Sequence, residues 1–214
     1  MAITQNPITG RSRGKFATAV FSKQFGKNTM RSKPLQVANP RTQKQMEQRT
    51  KFSMMVELSR MFLGFIKTSY NQVAVGMSEF NMFMKTNIAN VITGIYPNYS
   101  IDFSQLLVAK GTLTGVENGA ATAAAGHLIN LTWADNTGIS DALATDNAMA
   151  LVINYDKGAV AQDMTTKSRA DGSLSLTVPS AWVGDKVEVF LAFISETKDK
   201  VSDSSYLGQK TIVA

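Results

Sequence analysis

His127 is the chain's one histidine and cysteine is absent, so the sequence has few means of building a nucleophile, a general base or a transition-metal centre. Zinc needs three or four ligands of the His, Cys and carboxylate type, and a single imidazole at the entry of a predicted strand reads as a surface or structural residue. No P-loop, G-x-G-x-x-G, G-x-S-x-G or H-E-x-x-H pattern occurs. The one grouping that could hold a hard cation is Asp135, Asn136, Asp141 and Asp146, because calcium takes clustered loop oxygens. Asp and Asn are also the ordinary residues of turns between strands. Asp156, Asp163, Asp171, Asp185, Asp199 and Asp203 are scattered in the same manner, so turn formation is the stronger reading. The sequence thus assigns no catalytic residue, no cofactor and no metal, and a non-enzymatic protein is expected.

Charge is the stronger signal. Residues 1–67 hold 13 Lys and Arg against 2 acids, Glu47 and Glu57, a balance of +11, whereas residues 68–214 hold 9 against 14, a balance of −5. Opposite signs in two regions point to two jobs. Arg11, Arg13, Lys15, Lys23, Lys27, Arg31 and Lys33 could face nucleic acid, an acidic protein or a membrane surface. No apolar region follows the N-terminal basic residues, and no run of about 18 apolar residues occurs, so neither a signal peptide nor a membrane span is expected.

The elements that must position these residues change character along the chain. Lys15–Ser22 favours an extended conformation, 24–28 a turn and 29–33 a returning strand, which makes residues 1–38 a basic arm or β-hairpin. An isolated hairpin is marginal in water, so it needs something to lie against. Asn39-Pro40-Arg41-Thr42 then opens a helix over about 42–67: Asn39 or Thr42 can cap it, Pro40 suits its first turn, and Thr42 with Gln45 has capping-box spacing. Phe52, Met55, Leu58, Phe62, Phe65 and Ile66 recur at three or four and predict one buried stripe. Arg41 and Arg49, eight apart, would lie roughly 12 Å from each other along such a helix. Ser78 caps a second helix carrying Phe80, Phe83, Met84, Ile88, Val91 and Ile92, with Gly94 as its C-cap, so 39–97 reads as an antiparallel helix pair.

From Ile95 the period shortens to two. A boundary is expected at Ile95–Tyr99, around Pro97, followed by an all-β sandwich over 98–214. Its expected strands are 106–113, 128–133, 149–155, 174–178, 187–195 and 207–213, the fifth apolar on both faces and therefore central. The tract Gly119–Gly126 reads as a flexible loop, Trp133 as a core aromatic, and the fold class as α+β.

The motif Asn39-Pro40-Arg41-Thr42-x-x-Gln45-x-x-x-Arg49-x-x-Phe52, preceded by Arg11, Arg13, Lys15 and Arg31 and followed by Phe80-Asn81-x-Phe83-x-x-x-Asn87, resembles a pattern in uncharacterised proteins of tailed bacteriophages and prophages. Nearly the whole chain resembles a family of unknown function common in Bacteroidetes genomes and their phages, whose C-terminal part resembles fibronectin type III or immunoglobulin-like modules. The resemblance implies a virion structural protein of the head, neck or tail. It would dock on other subunits and on copies of itself through the basic arm and the helix pair. Nucleic-acid binding by the basic arm is the second reading. A glycan-binding or adhesion module is the third, ranked lower because Trp133 and Trp182 look like core residues.

Overall fold

The computed structural model describes residues 2–3, 13–24, 26–34, 36, 39 and 41–214, and the chain divides into two compact units, residues 1–46 and 47–214. Arg11 and Pro40 lie outside the described residues. Among the described residues no helix is long and apolar enough to cross a membrane.

The first unit contains a small antiparallel sheet of β1 (Ala2–Ile3), β2 (Gly14–Phe16), β3 (Ala19–Gln24) and β4 (Lys27–Ser32), in the order β1-β4-β3-β2. The expected hairpin is the β3–β4 pair, with Ala19 opposite Ser32 and Phe21 opposite Met30. The expected first strand is split: Ala17 takes a left-handed φ of 48° and folds β2 back on β3, with Lys15 opposite Val20.

The second unit begins with helices. The single helix expected over 42–67 is two, α1 (Gln43–Met61) and α2 (Leu63–Ser69), because Phe62, at φ −129° and ψ 37°, leaves helical geometry. α3 (Glu79–Asn87) starts where the sequence predicts it, with the Ser78 hydroxyl accepting from the Asn81 N–H. Gly94 is not its C-cap. The chain leaves α3 seven residues earlier and forms a hairpin, β5 (Ile92–Ile95) and β6 (Asn98–Ile101). Gly94 is needed there at φ +95°, where a Cβ would come within 2.4 Å of the Asn98 carbonyl oxygen.

Seven strands follow: β7 (Glu117–Ala124), β8 (Leu128–Ala134), β9 (Asn147–Asn154), β10 (Ala159–Asp163), β11 (Ser173–Thr177), β12 (Lys186–Ile194) and β13 (Ser205–Thr211). They form two antiparallel sheets ordered β10-β9-β12-β13 and β11-β8-β7. The fold is therefore α+β, with sandwich-like sheets. Two expectations change. The alanine tract is a strand, not a loop, because Ala120–Ala124 pair with Leu128–Thr132 of β8. Ala121 is buried, and at Gly119 a Cβ would meet Val116 and Leu207 side chains at 2.8 and 2.9 Å. Residues 106–113, conversely, are not a strand. The Asn87 amide brackets Leu107, accepting its N–H at 2.9 Å and donating to its carbonyl at 3.1 Å. Ser69 and Tyr70 donate to the Val108 and Leu107 carbonyls, both at 2.8 Å. Side chains thus replace the ladder that the alternating pattern predicts.

Strands β9 and β12 are buried on both faces. Met149, Leu151, Ile153, Phe190, Ala192 and Ile194 join the helical residues Met55, Leu58, Phe62, Phe65, Ile66, Tyr70 and Phe83 in one core. Ala148, Ala150, Val152, Val189, Leu191 and Phe193 join Ile129, Leu131, Trp133, Leu174 and Leu176 in the other. The alternation follows from the period of two along a strand. It explains why the boundary expected at Pro97 is not where the chain divides: the helices supply one wall of a core whose other wall is the sheet. β12 is central, as its doubly apolar sequence predicts. Phe52 departs from the expected stripe and is 49% exposed, lying one turn before Met55, the first fully buried residue of α1.

Because both cores share β9 and β12, replacing Phe190 by Ala should cost about 3–5 kcal/mol. Helical circular dichroism and Trp fluorescence should still unfold in one coincident transition in urea; separate transitions would show that helices and sandwich are independent.

Candidate docking site

The residues singled out by the sequence fall into three settings. Lys15 and Arg31 are exposed on the N-terminal sheet, and Arg13 is exposed immediately before β2. Lys15 stands opposite Val20, Val20 opposite Arg31, and Ser22 opposite Thr29. Directly opposed residues share a face and neighbours along a strand alternate. One face therefore carries Lys15, Val20, Arg31 and Lys27 with the hydroxyls of Ser22 and Thr29, which are bonded to each other at 2.6 Å. The opposite face carries Ala19, Phe21 and Met30 with Lys23. None of the side chains described in the first unit is buried. Among the described residues the apolar side chains of this sheet, Ala19, Val20, Phe21 and Met30, are half-buried.

Asn39, Arg41, Thr42 and Gln45 are exposed at the start of α1. Thr42 immediately precedes the helix, and its carbonyl accepts from the N–H groups of Gln45 and Met46, each at 3.0 Å. Arg41 lies before the helix, not on it, so the helical spacing expected between Arg41 and Arg49 does not apply. Arg49 is exposed on α1.

Phe83 and Asn87 prove to be packing residues. Phe83 is fully buried, edge-on to Phe62 at 5.7 Å and to Tyr70 at 5.6 Å between ring centroids. Asn87 is 1% exposed; besides bracketing Leu107, its Nδ2 donates to the Phe83 carbonyl and the Tyr70 hydroxyl, at 3.0 and 3.2 Å. Burial pushes the Tyr70 hydroxyl far above its usual range, so it stays protonated and can donate to Leu107. This half of the motif holds the helices to the 102–116 segment.

Two of the four residues considered for calcium, Asn136 and Asp146, already hold a cation, the Arg169 guanidinium. Arg169, with no exposed surface, places Nε 3.1 Å from Asp146 Oδ2, Nη1 2.6 Å from Asn136 Oδ1 and Nη2 2.9 Å from the Thr114 carbonyl. Its guanidinium stacks on the Phe193 ring at 3.9 Å, and Trp133 Nε1 donates to its carbonyl at 2.7 Å. Burial lowers the Arg169 pKa, and the Asp146 charge opposes that shift. Asp141 is committed elsewhere, accepting from Thr114 and facing Lys200. Among the described residues no group of three or more His, Cys, Asp and Glu is placed to hold a metal. Reading the sequence alone missed Arg169, because an arginine in a polar Lys-Ser-Arg-Ala-Asp stretch gives no sign of burial.

His127 sits with Gly126 in the β7–β8 turn, both at positive φ, and its carbonyl accepts the Val178 N–H. Trp133 and Trp182 are both buried, at 6% and 3% exposure, and neither offers a platform on which a sugar could stack.

Arg169→Met should cost about 3–5 kcal/mol, because Asp146 would be left charged and buried. The double variant Arg169→Met with Asp146→Leu should recover most of that loss, as measured by urea denaturation. Acid should act through a different set. Hydrogen bonds hold the carboxyls of Asp141, Asp171 and Asp199 below their ordinary value of 3.8, chiefly from the Thr114 hydroxyl, the Ser168 N–H and the Ser195 hydroxyl respectively. Their stabilisation is complete above that value and fades as pH falls through the lower folded values, since the unfolded chain takes up protons first. The melting temperature should therefore be flat above about pH 5 and fall steadily towards about pH 2.

Comparison with curated proteins finds no match. A family model, by contrast, matches residues 11–208, a span that takes in β2, β3 and β4 of the N-terminal sheet, the helices and nearly all of the sandwich. The chain therefore belongs to that family, described as a family of unknown function (DUF6266).

Proposed function

We propose that the protein is a non-enzymatic structural component of the virion of a tailed bacteriophage or prophage, in its head, neck or tail. It docks through its basic N-terminal sheet and displays the sandwich. The observation that carries this reading is the contrast in burial between the two units. Residues 47–214 build two continuous cores. The N-terminal sheet, in a segment with an excess of cations, buries none of its described side chains. A sheet of this kind gains order and stability when a neighbouring molecule covers it. The virion assignment is supported by the resemblance of the Asn39–Phe52 motif to proteins of tailed phages. Phe83 and Asn87 serve the internal packing of the helices, which concentrates docking in the first unit. We read the sandwich as fibronectin type III or immunoglobulin-like, a reading supported by the grouping of its first, second and fifth strands in one sheet and its third, sixth and seventh in the other, with the fourth strand on the edge of the latter.

A second reading rests on the same sheet. Lys15, Lys27 and Arg31 share a face with two hydroxyls, a set suited to phosphate oxygens, which would make nucleic acid the partner. Salt separates the two readings. Binding to duplex DNA should fall steeply and linearly on logarithmic axes as salt rises, with a slope that Lys15→Glu and Arg31→Glu make shallower.

For the structural role, mass spectrometry of purified particles should find the chain at stoichiometric abundance. Particles made with the double variant Lys15→Glu, Arg31→Glu should lose it, while the circular dichroism of the purified variant stays unchanged. Absence from wild-type particles would remove the proposal.

A further inference from the structure

Each sheet of the sandwich ends in an edge, and an edge presents unpaired N–H and C=O groups that can template another strand. Three of the four edges carry a feature that blocks such pairing. β7 has an irregularity between Glu117 and Ala120 and the charge of Glu117. β10 ends in Asp163, which turns back on Thr165 and Thr166. β13 has a register shift against β12 and contains Gly208 and Lys210. The fourth, β11, reads Ser-Leu-Ser-Leu-Thr over residues 173–177, with no charge, glycine, proline or bulge.

The orientation of its backbone follows from its pairing with β8. The Trp133 N–H donates to the Gly172 carbonyl, and the Val178 N–H donates to the His127 carbonyl. Even-numbered positions are therefore the ones hydrogen-bonded to β8 in this antiparallel register, and Ser173, Ser175 and Thr177 turn their N–H and C=O groups outward. All three residues are exposed. β10 runs along the same margin in the facing sheet, but no ladder joins it to β11.

We infer that β11 is a self-association edge, pairing antiparallel with β11 of a second copy about a two-fold axis at Ser175. The strand fits itself in that register. Ser175 meets its own copy, and Ser173 meets Thr177 in both directions, so every outward-facing residue falls in a hydrogen-bonded pair. Leu174 comes opposite Leu176 on the inner face, and the two three-stranded sheets become one of six strands. Charges do not oppose the pairing: Asp171, the nearest, falls opposite Pro179 of the copy. This association uses none of the N-terminal residues and stands independently of the docking proposed above.

Light scattering of the full chain across a range of concentrations should show a monomer–dimer equilibrium. Ser175→Pro removes one outward N–H and no bond to β8, which is where proline is tolerated at an edge. It should weaken the dimer about tenfold or more with the melting curve of the monomer preserved. Ser175→Lys, which sets two cations against each other across the axis, should do the same. Since the chain has no cysteine, Ser175→Cys should give a covalent dimer on oxidation, whereas Ser53→Cys on α1 should not. A wild-type chain that stays monomeric at high concentration would overturn the inference. So would a dimer that Ser175→Pro and Ser175→Lys leave intact, because it would use another surface.

Discussion

The constraint on which residues 47–214 depend is that strands β9 and β12 have no solvent face. A sheet buried on one side can be covered by a second sheet alone; here the other side is equally apolar and would be insoluble without the helices. The pairs Phe190–Leu151 and Ala192–Met149 look towards the helices, and Val189–Val152 and Leu191–Ala150 look towards the second sheet. A one-residue slip in this register would exchange the two sets and misfit both cores. The helices are therefore as much a part of the sandwich as its strands are.

Polar residues then fix what apolar packing leaves undetermined. Burial of leucine and phenylalanine has no direction, but the Asn87 amide accepts only an N–H and donates only to oxygen. Its four contacts lock the 102–116 segment to the helices. Arg169 does the same for the loops at 114–115, 136 and 143–146, joining segments far apart in sequence around one guanidinium. A buried ion pair contributes little net stability against an apolar substitute, yet breaking it is costly. Its effect here is to specify one loop arrangement. Of the four loop residues that resembled a cation site, Asn136 and Asp146 meet the Arg169 guanidinium, Asp141 meets Thr114 and Lys200, and Asp135 accepts from Thr137 within its own turn.

The division of labour between the units follows from burial. Residues 47–214 build two cores of fully buried side chains, whereas none of the described side chains of the N-terminal sheet is buried. A basic sheet of that kind gains most from a partner that supplies both negative charge and apolar cover, and an adjoining protein subunit can provide both. Nucleic acid would answer the charge alone and add no apolar cover to the half-buried Phe21 and Met30.

What the sequence by itself determined are the features carried by local pattern: the N-terminal hairpin, the start of α3 at Ser78, most strands from β8 onward, the centrality of β12 and the charge division. These depend on residues near one another in the chain, whose periods of two or about 3.6 are readable directly. The tertiary structure alone decided the rest. It made the alanine tract a strand, because β8 offers its backbone a ladder from Ala120 to Ala124. It made 106–113 irregular, because Asn87, Ser69 and Tyr70 outbid a ladder for its backbone. It placed Arg169 inside, because Asp146, Asn136 and Phe193 converge on it from separate segments. Each outcome turns on partners brought together by folding, and a linear pattern holds no record of which distant group will be there.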